Sequence, residues 1–243
     1  MLGNLYQKYI DKDERKRLGQ FYTPDEVVQY ILDSVGYTSD AEIENKKLLD
    51  PAFGSGGFLV PATNRLINRL KSKIYDPITI LHKVRENIYG FDINPFAAHL
   101  TETNLLFQVA YLISGEKKLD ADFRVEQFNV FVTDSLRIPE AGQIGKNMPL
   151  FENDLLNSAA VHDAEIVKEI KLKQGRFEGG MDFVVGNPSW GGILKKEKET
   201  ILSQELKNNY VSAVGKYDIY VLFIEAGIHW LNDQGILGLH RSE

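Results

Sequence analysis

An α/β fold, in which a doubly wound and mostly parallel sheet follows an N-terminal helical segment, is what this sequence predicts. Three observations lead there. Short apolar runs of β-type residues alternate with stretches of helical periodicity, the pattern of strand–helix–strand units. Two of these runs end on a carboxylate, at Asp50 and at Asp92, and a glycine-rich turn follows the first at once. The chain has 243 residues, 43% of them hydrophobic, which is enough for one such domain with a substantial core.

The elements are expected as follows. Residues 1–45 form the N-terminal helical segment. Its clearest helix begins at Thr23-Pro24-Asp25-Glu26, with Thr23 as N-cap, Pro24 in the first helical position and Glu26 completing a capping box. Val27, Val28, Ile31, Leu32 and Val35 recur on one face of it. Residues 46–243 form the main domain. Strands are expected at Lys47–Asp50, Ile88–Asp92, Asn129–Thr133, Asp182–Gly186 and Gly235–Leu239. Helices are expected at Phe58–Lys71, around Pro77–Glu86, and at Pro95–Ile113, Ala160–Leu172 and Tyr217–Leu231. The long mixed stretch at about 136–180 reads as an insertion at the sheet edge. The chain stops directly after a strand-like run, so a C-terminally truncated domain is expected.

Composition removes several options. There is no cysteine, hence no disulfide and no cysteine-based zinc site. C5 methylation of cytosine resembles a Michael addition led by a cysteine nucleophile, and that class is excluded too. Apolar runs such as Ile219–Ile228 are broken by charge and fall short of a bilayer span. The charged N-terminus has no apolar signal region, so a cytoplasmic protein without membrane partners is expected. A net charge of −6 speaks against a surface that binds nucleic acid all over. The clusters Lys12, Arg15, Lys16, Arg17 and Lys195, Lys196, Lys198 read either as solvated helix faces or as a local basic cleft.

The chemistry is concentrated at the strand ends. In Asp50-Pro51-Ala52-Phe53-Gly54-Ser55-Gly56-Gly57 a buried strand gives way to a glycine turn and a helix N-terminus, which brings backbone N–H groups close to a ligand. A tight structural turn would share that pattern. Asp92 ends the next strand, where a carboxylate accepts hydrogen bonds from both hydroxyls of a ribose; capping the Pro95 helix is the alternative. Asp134 ends the third strand and either accepts from the amine of an adenine ring or caps the following turn.

The fourth strand leads into Gly186-Asn187-Pro188-Ser189-Trp190. An exocyclic amine on a nucleobase is a poor nucleophile, because its lone pair is delocalised into the ring. Two acceptors aimed at its N–H bonds, the Asn187 side-chain oxygen and the Pro188 carbonyl, favour the sp³ form that attacks a methyl sulfonium. Trp190 can stack on an extruded base. No metal and no protein nucleophile is needed. A structural Asn-Pro turn beside a packed tryptophan is the plain alternative.

Four motifs stand in one order: Gly19-Gln20-Phe21-Tyr22-Thr23-Pro24, the Asp50–Gly57 turn, Gly90-Phe91-Asp92, and Asn187-Pro188-Ser189-Trp190. That order resembles the N6-adenine DNA methyltransferases of restriction–modification systems, and is particularly similar to the methylase parts of type I and fused type II enzymes. The resemblance implies a Rossmann-like S-adenosylmethionine-dependent methyltransferase fold and a site-specific enzyme that methylates adenine N6 in DNA. It implies that Tyr22, Thr23 and Pro24 line the methionine side of the cofactor. Asp50, Ala52, Phe53, Gly54 and Gly56 would surround its amino-acid moiety, Asp92 and Ile93 would hold ribose and adenine, and Asp134 would meet the adenine amine. It names DNA as partner, through a recognition domain or subunit outside this chain, together with a specificity or restriction subunit. Ser189 departs from the family pattern, which has a second proline there, but both acceptors and the aromatic residue are kept. Other readings are a non-catalytic cofactor-binding module of a larger complex, or an amino-methyltransferase acting on protein glutamine, RNA or cytosine N4.

Overall fold

A computed structural model of the chain describes residues 23–113, 128–137, 179–188, 206–215 and 217–241. Helix α1 (Asp25–Ser34) buries Val28, Ile31 and Leu32, with Val27 half-buried behind them, as the periodicity requires. Its start differs from the expected capping box. Pro24 takes the N-cap position, in extended conformation with ψ 143°, and its carbonyl accepts from Val27 N (3.0 Å) and Val28 N (3.1 Å). No side chain caps this helix, because the Thr23 hydroxyl is engaged elsewhere.

The chain then runs through β1 (Leu48–Asp50), α2 (Leu59–Ser72), α3 (Pro77–Asn87), β2 (Ile88–Asp92), α4 (Pro95–Ile113) and β3 (Asn129–Val132). A 3₁₀ turn (Ser135–Arg137) follows, then β4 (Met181–Gly186), α5 (Ile219–Trp230) and β5 (Leu231–Leu239). The intervening helix expected near Pro77 is real. Asp76 caps it by accepting from Ile78 N (3.1 Å) and Thr79 N (3.0 Å), and Pro77 needs no N–H in the first turn. Asp218 caps α5 in the same way, accepting from Tyr220 N at 3.0 Å. The Ala160–Leu172 helix and most of the 136–180 insertion lie outside the described residues.

The five strands lie in the order β3-β2-β1-β4-β5, and all their pairings are parallel. Leu48 of β1 sits opposite Ile88 on one side and Phe183 on the other. The chain therefore winds outward from β1 through β2 and β3, then resumes on the opposite side with β4 and β5. The reversal falls between β1 and β4, and a crevice at such a reversal is where open α/β sheets bind ligands.

Alternate side chains go to opposite faces. Leu48, Ile88, Val130, Phe183 and Val185 pack with α1, α2, α3 and α4. Leu49, Phe91, Phe131 and Val184 pack with α5 and with Leu206, Tyr210 and Ala213. Trp230 of α5 meets the Phe91 ring nearly edge-on at 6.1 Å. Both faces are covered, so the sheet is doubly wound. The described part of the N-terminal segment shares its core with the sheet: Val28, Ile31, Leu32, Val35 and Tyr37 belong to the first layer.

Candidate active site

β1 is buried along its whole length and ends on Asp50, where the glycine turn begins. Ala52 N donates to Asp50 Oδ1 at 3.0 Å. Gly54 and Gly56 have φ of 54° and 87°, the left-handed region that a side chain makes costly. Neighbouring elements pin the turn. Phe53 N donates to the Phe91 carbonyl (3.2 Å), and Gly54 N donates to Asp92 Oδ2 (2.8 Å). From α4, Thr101 Oγ1 donates to the Gly54 carbonyl (3.0 Å) and Asn104 Nδ2 to the Ser55 carbonyl (3.1 Å). Ser135, past β3, donates its hydroxyl to the Pro51 carbonyl at 2.5 Å. Helix α2 then starts at Leu59 with no side-chain cap.

Asp92 closes β2. One carboxylate oxygen takes the Gly54 N–H and the other accepts from Asn94 N at 2.8 Å. Asn94 caps α4, accepting from Phe96 N at 3.0 Å, so the helix-cap alternative for Asp92 does not hold. Each carboxylate oxygen keeps a further lone pair for a ligand hydroxyl. Burial pushes the Asp92 carboxyl above its usual range, although backbone N–H groups of Asn94, Gly54 and Ile93 pull it down.

Asp50 is wholly buried, and its Oδ2 has no hydrogen-bond partner among the described residues. Desolvation raises its pKa from 3.8 to about 8; the Ala52 N–H opposes that rise and the charge of Asp92 adds to it. A buried acceptor without a donor is costly, and sites for a cationic ligand carry that signature.

β4 brings the fourth motif to the same edge. Gly186 lies against Asp50, where a Cβ would stand 2.7 Å from Asp50 Oδ1. Asn187 follows, half-buried, and Pro188 is buried. Asn187 Nδ2 donates to Thr23 Oγ1 at 3.0 Å, across 164 residues of sequence. Asn187 Oδ1 is buried and has no partner among the described residues. Ile93, beyond Asp92, is an apolar side chain left 60% exposed at this edge. Asp134 Oδ1 accepts from Leu136 N at 3.1 Å and so does cap the turn after β3. Ala52 is half-buried and Phe53 is buried within the turn, while Pro24 is exposed at the start of α1. Tyr22, Ser189, Trp190 and both lysine-rich clusters lie outside the described residues.

Sequence reasoning missed three parts of this arrangement. Gly186 is required by its closeness to Asp50, not by a turn. Thr101 and Asn104 hold the glycine turn from 47 and 49 residues away. They stand at i, i+3 spacing on one face of the helix, among the other polar residues His99, Glu102, Thr103 and Gln108, so no local pattern singles them out.

Strand order, the glycine turn after β1 and the carboxylate closing β2 define the Rossmann-like class of S-adenosylmethionine-dependent methyltransferases. The chain belongs to the N-6 DNA methylase family, whose model matches residues 1–136, and the Eco57I restriction-modification methylase model matches residues 86–240. It is 28% identical to the type II methyltransferase M.BstVI of Geobacillus stearothermophilus, over 93% of this chain and 33% of that protein. It is 32% identical to the adenine-specific methyltransferase PglX of Streptomyces coelicolor, over 92% of this chain and 18% of that protein. The chain thus spans a third or less of the length of these two relatives. Among solved structures, the ATP-dependent Type ISP restriction-modification enzyme LlaBIII bound to DNA shares the fold. Its TM-score is 0.64 at 17% identity, over 98% of this chain and 16% of that one.

Proposed function

We propose that this chain is the catalytic part of a DNA methyltransferase that transfers a methyl group from S-adenosylmethionine to the N6 amine of adenine within a restriction–modification system. The observation that carries this reading is Asn187 Oδ1, a buried acceptor with no donor among the described residues, at the reversal point of the sheet. An exocyclic amine offers the donor this oxygen lacks.

The residues present fit the cofactor. Asp50 Oδ2 is a buried acceptor with no partner among the described residues and suits the α-ammonium group, and Asp92 keeps lone pairs for the ribose hydroxyls. Ile93 offers an apolar surface to the adenine ring, and Thr23 and Pro24 stand on the methionine side. Ala52, Phe53, Gly54 and Gly56 shape the turn around the amino-acid moiety, and Asp134 faces the adenine amine as a further acceptor. When bound, S-adenosylmethionine supplies an electrophilic methyl group on sulfonium.

The chain itself prepares the nucleophile. Asn187 Oδ1 and the Pro188 carbonyl accept the two amine N–H bonds, which localises the nitrogen lone pair and favours the charge that grows on nitrogen during attack. Trp190 is assigned to stacking on the extruded base, and Tyr22 to the cofactor side with Thr23. DNA, a recognition domain or subunit outside these residues, and a specificity or restriction subunit are the proposed partners; the cytoplasm is the proposed location. No helix among the described residues is long and apolar enough to cross a membrane. Incubation with tritiated S-adenosylmethionine and mixed-sequence DNA, followed by nucleoside analysis, tests the proposal. Label in N6-methyl-2′-deoxyadenosine is expected, and label confined to N4-methyl-2′-deoxycytidine, or to RNA or protein glutamine supplied in place of DNA, would overturn it.

A further inference from the structure

Thr23 and Asn187 come from opposite ends of the chain, and their side chains meet at 3.0 Å, with the amide nitrogen donating and the hydroxyl oxygen accepting. Thr23 is itself buried, at 8% exposure. Its hydroxyl is not spent on capping α1, although it stands two residues before that helix; Pro24 occupies the cap position instead. The hydroxyl is thus kept for the amide.

The amide has two chemically different ends. Rotation by half a turn about its last side-chain bond exchanges a carbonyl oxygen, which only accepts, for an NH₂ group, which only donates. A target amine held for attack presents N–H bonds. An NH₂ group facing it sets donor against donor and gives no bond. The orientation found here engages Nδ2 with Thr23 and leaves Oδ1 without a partner among the described residues.

We propose that Thr23 is a positioning residue for the reaction. By accepting the Asn187 Nδ2–H, its hydroxyl holds the amide with Oδ1 turned to the target amine. The inference rests on the function proposed above and goes beyond it. It gives Thr23 a second role, separate from lining the cofactor, and links the N-terminal motif to the catalytic motif by one side-chain bond. Without the hydroxyl, Nδ2 loses the partner that fixes it, and neither orientation of the amide is favoured on that side.

The test uses the uniformly ¹⁵N-labelled chain, with the Asn187 side-chain signals assigned by their loss in Asn187→Asp. In the wild-type chain and in Thr23→Ser, the Nδ2 protons should exchange slowly with solvent. In Thr23→Val they should exchange at least tenfold faster, while backbone amides of β4 keep their rates. Thr23→Ala gives the same reading should the valine variant fail to fold. In parallel, methyl transfer is followed at saturating S-adenosylmethionine. The kcat of Thr23→Val should fall tenfold or more with the KM for DNA within threefold of wild type, and Thr23→Ser should recover most of it. Unchanged exchange in both the valine and alanine variants, or failure of serine to restore it, would overturn the proposal. Equal kcat in Thr23→Val and wild type would overturn it as well. If the enzyme, assayed together with its DNA-recognition part, transfers no methyl group to DNA while the chain shows the expected exchange pattern, the positioning bond stands and the proposed function falls.

Discussion

Gly54 and Asp92 lie 38 residues apart and are joined by a 2.8 Å hydrogen bond from the glycine N–H to the carboxylate. The residue assigned to the ribose therefore also clamps the turn assigned to the amino-acid end of the cofactor. Asp92→Ala removes both functions. Cofactor affinity should fall by at least the ~1.5–3 kcal/mol typical of hydrogen bonds to a charged group. Titration calorimetry on the folded variant measures this, and an unchanged Kd would remove Asp92 from the site.

Gly186 of β4 packs directly against the Asp50 carboxyl at the end of β1. Gly186→Ala places a methyl group 2.7 Å from Asp50 Oδ1 and 3.4 Å from Pro51 Cδ, both side-chain atoms at the buried end of β1. Overpacking of this kind costs roughly 1–3 kcal/mol. Urea unfolding should show the loss as a lower midpoint, and a midpoint equal to wild type would mean that β4 shifts freely away from β1.

The Asp50 carboxyl gives stability a pH dependence of definite sign. Its pKa is 3.8 when exposed and about 8 in the fold, so within that window the folded chain holds a proton that the unfolded chain has released. Stability is fully retained at the acid end and declines as pH rises towards 8. Asp50→Asn removes this contribution, while the raised carboxyl of Asp92 remains in both proteins. Unfolding free energies at about pH 6 and about pH 9 should therefore differ less in the variant than in the wild type. Equal pH slopes would show that Asp50 is already ionised in the fold.

Asn187→Ala separates binding from chemistry. The variant removes the acceptor proposed for the target amine and leaves Asp50, Asp92 and the glycine turn in place. Calorimetric affinity for S-adenosylmethionine should stay within a few-fold of wild type. Methyl transfer should fall on the order of 100-fold or more, the usual scale for losing one preorganised hydrogen-bonding group at a transition state. Appreciable turnover by this variant would take Asn187 out of the catalytic role.

The sequence alone determined the local structure, for reasons of periodicity and punctuation. The Pro95–Ile113 helix and the Ile88–Asp92 strand have the bounds their patterns predict. The helix at Pro77 lies where the sequence reading expects one, with Asp76 as its N-cap and Pro77 in its first turn. Asp50, Asp92 and Asn187 stood out because each closes an apolar strand, and strand ends of a parallel sheet share one edge. What only the tertiary structure decided is which groups meet at that edge. Thr23 reads as a helix cap from its neighbours, yet its hydroxyl bonds a side chain 164 residues away. Gly186 reads as the last residue of a strand, where nothing local asks for a glycine, yet the Asp50 carboxyl leaves no room for a side chain there. Capping and periodicity act between residues a few positions apart, so they are written in the order of the chain. The hydrogen bonds and close approaches of the site are set by the pairing of β1 with β2 and β4, which no local pattern encodes.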